Sequence, residues 1–308
     1  MAGSSKKVIY AALVGNALIA VTKFVAAVLT GSSAMLSEGI HSTVDTGNQL
    51  LLLYGLRRAR KPADERYPFG RGKEIYFWSF IVAILIFGVG AGVSFYEGVH
   101  RVLHPSSIEN PAINYVVIAL ALLFEGAAWI FAFTEFTKVK GKWGYLEAVH
   151  RGKDPTIFVV LFEDSAAILG LLVALAGIVL SQVTGASIYD GLASCMIGLI
   201  LAGTAAWLAY ETKSLLIGES ATRPVVNGIR RLVADEPDVE RVNEILTMHM
   251  GPDFVLLNLS VEFRDDATAT ELERAIARID RSIKQAFPEV KRIFVEAEEK
   301  RAPPAPPD

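Results

Sequence analysis

The sequence predicts a membrane all-α bundle of six transmembrane helices, followed by a small cytoplasmic α+β domain with the order α-β-β-α-β. The 308 residues are 52% hydrophobic and only 20% charged, whereas soluble domains carry about a quarter charged residues. Six apolar runs are long enough to cross a bilayer, and soluble patterning begins after them. We therefore expect a membrane domain in residues 1–211, a soluble domain in 212–300 and a disordered tail in 301–308.

Each of the six runs reaches the length of about 20 apolar residues that a helix needs to span the hydrocarbon core. The first run follows Lys6 and Lys7 and continues well past the length of a signal-peptide core, so we interpret it as a membrane helix. The expected spans are 8–29, 34–56, 76–99, 113–136, 156–180 and 188–210.

The short connections between these spans alternate between basic and nearly uncharged. Segment 57–73 contains seven Lys and Arg residues and segment 138–153 contains five, while 30–33 and 181–187 contain none and 100–111 contains only Arg101. Basic loops favour the cytoplasmic side of a membrane. Both termini are therefore expected in the cytoplasm, and the expected localisation is a bacterial inner membrane.

The first half of the soluble region predicts a helix and a hairpin. After Pro224, apolar residues at helical spacing indicate a short amphipathic helix that ends before Pro237. Apolar residues then alternate in 246–250 and in 255–263, and the turn sequence Gly251-Pro252-Asp253 lies between them. This pattern is typical of two antiparallel strands.

The second half of the soluble region predicts a helix and a last strand. Thr270 with Glu273 fits a capping box, and apolar residues at helical spacing follow until Pro288. Residues 293–297 alternate again and indicate a strand. The five elements together have the size of a domain that can fold alone. Half of the residues in 301–308 are proline, which favours disorder.

Composition and motifs exclude several classes of function. The net charge of -3 gives no basic surface of the kind that nucleic acids bind, so no nucleic-acid partner is expected. Cys195 is the only cysteine, so one chain can form neither a disulfide framework nor a thiolate metal cluster. No paired nucleophile and base, phosphate-binding glycine loop or organic-cofactor motif is apparent, so an enzyme is not predicted.

The second span carries a stripe of polar residues. Glu38, His41, Asp45 and Asn48 fall within about 80° of arc on one helix face. A carboxylate near the bilayer centre costs about 2.5–3.5 kcal/mol, so this face is expected to line the bundle interior. His41 and Asp45 lie one turn apart and could converge on a divalent metal. A hydrogen-bonded pair that only joins helices is the alternative.

Acidic residues within the fourth and fifth spans are further candidates. Glu163 and Asp164 are adjacent in the fifth span and point about 100° apart, so both cannot face lipid at low cost. Acids on two separate spans indicate an ion path through the bundle. Glu125 in the fourth span is assigned to helix packing or to a proton route rather than to a metal ligand.

These motifs resemble the cation diffusion facilitator family of zinc and other divalent-metal exporters. The resemblance covers the whole chain and is carried by residues 37–45, with Asn48 and Gly55, and by the loop sequences Lys61-Pro62-Ala63-Asp64 and Phe69-Gly70-Arg71-Gly72-Lys73. It implies six spans, cytoplasmic termini and a metallochaperone-like C-terminal domain. It also implies a homodimer.

The resemblance further implies a tetrahedral site with two ligands from the second span and two from the fifth, at which protons exchange with the metal. His41, Asp45 and Asp164 match ligand positions of that site. Val160 stands where the family has His or Asp. Glu163 or a water is therefore expected to complete the shell, or the site is three-coordinate until a neighbouring group moves in. Such an oxygen-rich site leaves manganese, iron and cobalt as alternatives to zinc.

Other metal positions of the family are only partly present. At the accessory site of the loop between the second and third spans, Asp64 is present, but Tyr67 and Arg71 stand at the His positions. The soluble region contains His249 as its lone histidine. The soluble domain is therefore expected to dimerise without necessarily binding metal.

The expected function is secondary transport: export of a divalent metal cation, zinc first, from the cytoplasm by proton antiport. The expected partners are the cation, protons, the lipid bilayer and a second copy of the chain. Zn²⁺ or another divalent cation is the substrate, and no organic cofactor is expected. The alternative is a transporter-derived membrane metal sensor or interaction protein with little flux.

Overall fold

A computed structural model describes residues 2–104 and 111–299 of the chain, so the tail expected at 301–308 lies outside the described residues. The chain divides into two compact units. The first comprises the residues up to Arg60 together with Glu74–Lys213, and the second comprises Lys61–Lys73 and the chain from Ser214 on.

The described residues of the membrane-spanning part form helices joined by short connections, as predicted. Six long helical segments correspond to the six expected spans, and each extends a few residues beyond them. A π-helical turn, Ile86–Ala91, joins α3 to α4 within the third span. The helices are α1 (Ala2–Thr30), α2 (Ser33–Ala59), α3 (Glu74–Leu85), α4 (Gly92–Leu103), α5 (Pro111–Lys140), α6 (Tyr145–Arg151), α7 (Pro155–Thr184) and α8 (Ile188–Ile217).

In the part of the chain that the structure describes, five of these segments are long and apolar enough to cross a membrane, by length and composition alone. They are Ala12–Thr30, Glu74–Leu103, Ala112–Lys140, Pro155–Thr184 and Ile188–Ile217. Helix α2 is not among them because its stripe of polar residues lowers its hydropathy. The least apolar of the six long segments is therefore the one that carries His41 and Asp45.

Local sequence signals explain where the two site-bearing helices begin. The Ser32 hydroxyl accepts a hydrogen bond from the Met35 amide at the start of α2. Helix α7 has Pro155 at its first turn, and the Asp154 carboxylate accepts from the Thr156 amide. Ser and Asp caps satisfy amides that have no partner within the helix, and proline fits the first turn because it lacks that amide.

The second unit contains the predicted small α+β fold. Its elements are α9 (Arg223–Ala234), β1 (Val239–Gly251), β2 (Phe254–Phe263), α10 (Ala269–Ala286) and β3 (Val290–Ala297). The sheet order is β1-β2-β3, with β1 antiparallel and β3 parallel to β2. The core is formed by apolar side chains of both helices and the sheet, among them Ile229, Val233, Leu257, Leu259, Ile279 and Ile283.

The capping box of α10 lies two residues upstream of its predicted position. The Thr268 hydroxyl accepts from the Glu271 amide, and the Glu271 carboxylate accepts from the Thr268 amide. The prediction of Thr270 with Glu273 was wrong because α10 begins at Ala269, which places Thr270 inside its first turn. Both pairs have the same spacing and only the helix start distinguishes them.

The segment Lys61–Lys73, between α2 and α3, packs on the soluble fold. The Phe69 and Phe294 rings lie 6.4 Å apart, edge to face. At Gly72 the backbone approaches β1 so closely that a Cβ atom would overlap with the carbonyl oxygen of Met250. Only glycine leaves room for this approach, and the segment is therefore part of the second unit.

Candidate metal site

The predicted polar stripe of α2 is buried inside the first unit. Glu38 and Asn48 are 0% exposed, and His41 and Asp45 are 1% exposed. Helix α2 packs against α1, α3 and α7, so the four side chains face other helices rather than lipid. This agrees with the cost of exposing ionisable groups to hydrocarbon.

His41 and Asp45 contact each other across one turn of α2. The His41 Nε2 atom lies 3.4 Å from Asp45 Oδ2. Within the described residues, neither ring nitrogen of His41 has a hydrogen-bond partner, and the Oδ1 atom of Asp45 has none either. Buried polar atoms without a partner are rare in proteins, and each needs an explanation, of which a bound ion or water is one.

Glu163 and Asp164 of α7 lie in the same interior. Both are 1% exposed. The Asn48 amide donates to Glu163 Oε1 at 2.7 Å, so this carboxylate is tied to α2. The second oxygen of Glu163 and the Oδ2 atom of Asp164 have no hydrogen-bond partner in the described parts of the chain.

The acids of α2, α5 and α7 are close enough to interact. The Asp45 carboxylate is close enough to the carboxylates of Glu163, Glu125 and Asp164 for their negative charges to repel one another. Even so, across residues 2–104 and 111–299 no three His, Cys, Asp or Glu side chains are grouped tightly enough to hold an ion. The four residues predicted from the sequence, His41, Asp45, Glu163 and Asp164, lie in one region of the bundle interior. Their side chains would have to move closer together to surround an ion.

The position implied for a fourth ligand is apolar. Val160 of α7 is fully buried and offers no ligand atom. Glu163 lies three residues further along the same helix, and its Oε2 atom has no hydrogen-bond partner among the described residues.

Lys23 was not among the residues that the sequence singled out. It lies on α1, is 0% exposed, and its ammonium is 3.0 Å from Glu38 Oε2 and 3.5 Å from Glu125 Oε1. It also donates to the Ser42 hydroxyl at 2.8 Å. A signal was present, because Lys23 is the only charged residue in the apolar run 8–29.

A second buried polar group surrounds Asp190 of α8. The Ser32 hydroxyl donates to Asp190 Oδ1 at 2.8 Å, and Arg101 Nε is 3.7 Å from Asp190 Oδ2. Arg101 also donates to the Gly31 carbonyl at the end of α1. These contacts join the ends of α1 and α4 to the starts of α2 and α8, and they give Arg101, the single basic residue of segment 100–111, a role in helix packing.

The accessory position at Asp64 is filled by an arginine. Arg71 Nη2 lies 2.8 Å from Asp64 Oδ2, and the Arg71 guanidinium stacks 4.1 Å above the Tyr67 ring. The hydrogen bond from Arg71, with a second from the Tyr67 amide, lowers the pKa of Asp64. The Arg71 guanidinium thus forms an ion pair with the Asp64 carboxylate, which is the group that a metal would otherwise bind.

Comparison with known proteins gives a family match over most of the membrane-spanning part. The model of the cation efflux transmembrane domain matches residues 9–217. The match therefore includes α2 and α7, the two helices that carry His41, Asp45, Glu163 and Asp164.

Individual relatives match over more of the chain. The protein named proton-coupled zinc antiporter SLC30A9, mitochondrial, of Homo sapiens is 34% identical over 260 residues, which are 83% of this chain and 46% of that protein. Metal tolerance protein C4 of Arabidopsis thaliana is 30% identical over 84% of this chain and 57% of its own. Manganese efflux system protein MneP of Bacillus subtilis is 22% identical over 94% and 95%. The chain spans about half the length of the SLC30A9 protein.

Proposed function

We propose, from the premise that this chain belongs to the cation diffusion facilitator family of cation efflux proteins, that it exports zinc from the cytoplasm in exchange for protons. The chain is a multi-pass membrane protein of a transporter family. The observation that carries the proposal is the buried set formed by His41, Asp45, Glu163 and Asp164.

The buried set has the chemistry that cation binding needs. It combines one imidazole with three carboxylates on two helices, and each of these side chains presents an oxygen or nitrogen without a hydrogen-bond partner in the described residues. Unpaired acceptors in a water-poor interior are costly unless a cation or a proton neutralises them. A divalent cation neutralises two of these carboxylates at once.

Proton coupling follows from the same set. Carboxylates and imidazole bind a metal only in their deprotonated form, so metal binding and proton binding exclude each other at each ligand. In the proposed cycle, a state open to the cytoplasm takes up the ion and the bundle rearranges. Protons from the other side then displace it.

The proposed metal is zinc, with manganese as the second choice. An imidazole with carboxylates suits zinc, and relatives over 30% identical carry the name zinc antiporter. Val160 removes a ligand and makes the shell richer in oxygen, which suits manganese. The more distant relative of Bacillus subtilis is named a manganese efflux protein.

The proposal is tested by zinc flux into proteoliposomes with an imposed pH gradient. We expect flux for the wild type, loss of flux for Asp45→Asn and Asp164→Asn, and loss of flux when the gradient is dissipated. Glu135→Gln is the matched control, because Glu135 also lies on a long helix but pairs with Lys138. Undiminished flux in the Asp45→Asn/Asp164→Asn double variant would contradict the site, and no flux of zinc or manganese in the wild type would contradict the function.

A membrane metal sensor with little flux is the second candidate, and the missing ligand at Val160 favours it. Such a protein would bind zinc stoichiometrically and show a binding isotherm without gradient-driven uptake. Measuring binding and flux on one preparation separates the two candidates.

The topology and assembly remain proposals. The basic segments 57–73 and 138–153 support cytoplasmic termini. The bacterial inner membrane stays a prediction, since the SLC30A9 relatives are named as mitochondrial proteins. A homodimer is likewise a prediction, which mass photometry of the detergent-purified chain would test.

A further inference from the structure

We propose that the Lys23 ammonium occupies a second cation site in the bundle, formed by Glu38, Ser42 and Glu125, so that a tethered cation stands where a free ion would otherwise bind. The geometry around Lys23 carries this inference.

Three oxygen atoms surround the Lys23 ammonium. Glu38 Oε2 and Ser42 Oγ come from α2, and Glu125 Oε1 comes from α5, at 3.0, 2.8 and 3.5 Å. An ammonium group has three donors and no acceptor, so these three oxygens match its donors one to one. Lys23, Glu38, Ser42 and Glu125 are each 0% exposed, so water does not compete for the contacts.

The two carboxylates are only partly satisfied by the lysine. Glu38 Oε1 and Glu125 Oε2 have no hydrogen-bond partner in the described parts of the chain. Glu38 and Glu125 both contact the single ammonium of Lys23, so the three groups carry a net negative charge when both acids are ionised. Two carboxylates with a hydroxyl are oxygen ligands of the kind that hard divalent cations bind.

Helix α7 holds one of these carboxylates in place. Gly170 packs so closely on Glu38 Oε1 that a Cβ atom there would overlap with it. The position of Glu38 is therefore fixed by α7 as well as by Lys23. If the ammonium is removed, the carboxylate cannot simply turn away into free space beside Gly170.

A structural ion pair alone does not explain the arrangement well. Bringing charged groups into a dry interior costs free energy that their attraction often fails to offset, and apolar side chains of the same size are frequently as stable. A tethered cation has a consequence that apolar side chains lack. It blocks a competing ion site, so that the set on α2 and α7 is the one open to an ion. This consequence for transport rests on the proposed function.

The test counts the ions bound to the full-length, detergent-purified chain. The protein is dialysed against ZnCl₂ or MnCl₂, and the bound metal is measured by elemental analysis. Lys23→Ala is expected to bind one more divalent ion per chain than the wild type. Lys23→Arg keeps a cation in place, and Lys23→Ala/Glu38→Gln/Glu125→Gln removes the acids. Both are expected to bind the wild-type number.

Thermal unfolding with and without MnCl₂ accompanies the count. Lys23→Ala should unfold at a lower temperature than the wild type without metal, and MnCl₂ should restore it, because bound ions stabilise the folded state. The inference is overturned if folded Lys23→Ala binds no additional ion. It is equally overturned if metal cannot rescue the folding of Lys23→Ala while the triple variant folds.

These outcomes are separate from those of the flux experiment. An additional ion in Lys23→Ala supports the tethered cation even if the wild type shows no flux. Conversely, wild-type zinc flux together with an unchanged ion count in Lys23→Ala retains the proposed function and rejects the role of Lys23.

Discussion

Asn48 and Glu163 join α2 to α7 inside the bundle. The Asn48 amide donates to one oxygen of Glu163 and leaves the other without a partner in the described residues. A hydrogen bond of this kind fixes the orientation of a carboxylate, as outer partners do for ligands at metal sites. In the proposed site, Asn48 is therefore a positioning residue for Glu163.

Replacing Asn48 by Leu is expected to weaken zinc binding by about 10- to 100-fold, the range found for the loss of outer partners at metal sites. Isothermal titration of the purified chain measures it. The neighbouring Gln49→Met is the control, because Gln49 is fully buried and its amide has no hydrogen-bond partner in the described residues. Equal zinc affinities for the two variants would show that the Asn48 hydrogen bond is unimportant.

Gly170→Ala is expected to lower the free energy of unfolding by about 1–3 kcal/mol, the usual cost of overpacking. The added methyl group would overlap with Glu38 Oε1, whereas a methyl group added at Gly126 would meet no other atom within 4 Å. Chemical denaturation in detergent compares the two variants. Gly126→Ala should leave stability unchanged or raise it, and equal losses in both variants would argue against the packing of Glu38 on α7.

Sequence spacing predicted the polar stripe of α2 correctly, since positions on one helix face follow from about 100° per residue. It did not predict the surroundings of Lys23. Lys23 and Glu125 are 102 residues apart in the sequence, and the pair forms only because α1 packs on α5. Contacts between residues so far apart in the sequence depend on how whole helices pack. The local periodicity of apolar residues carries no information about that packing.

At the scale of elements, the order of the soluble domain was predictable because alternation, turn residues and prolines are local signals. Residues 246–263 form the expected hairpin around Gly251-Pro252-Asp253. The π-helical turn Ile86–Ala91 and the short helix α6 were not predicted. In a π-helical turn the hydrogen bonds span five residues instead of the four of an α-helix. A single such turn hardly changes the spacing of the apolar residues, so the sequence pattern does not reveal it.

The cap of α10 gives a prediction with its control in the same turn. Thr268→Ala should destabilise the first turn of α10 by about 1 kcal/mol, the usual cost of losing a cap. Thr270→Ala should not, because Thr270 lies inside the helix. Hydrogen exchange of the α10 amides measures the difference. Faster exchange in Thr270→Ala alone would place the cap where the sequence first indicated it.

The packing of segment Lys61–Lys73 on the soluble fold gives a further prediction. Gly72→Ala should loosen this segment, because the methyl group would overlap with the Met250 carbonyl oxygen. Limited trypsin digestion reports on it, since the segment contains Arg66 and Arg71. We expect faster cleavage there than in the wild type, and an unchanged cleavage rate in Gly144→Ala, where nothing lies within 4 Å. Equal rates for both variants would contradict the close packing at Gly72.

For the whole molecule, the account depends on one arrangement. The least apolar of the long segments, α2, packs against α7, and the two helices bring an imidazole and three carboxylates into one interior region. These side chains are not closed around a point in the described structure. Ion binding should therefore draw these side chains together, and the free energy of ion binding would offset the cost of that rearrangement.

The most direct test of this claim locates zinc in the loaded protein by anomalous scattering at the zinc edge. The account predicts a peak bound by His41 and Asp45 of α2 together with a carboxylate of α7, Asp164 or Glu163. Zinc found elsewhere, with His41 and Asp45 still free of metal, would contradict it.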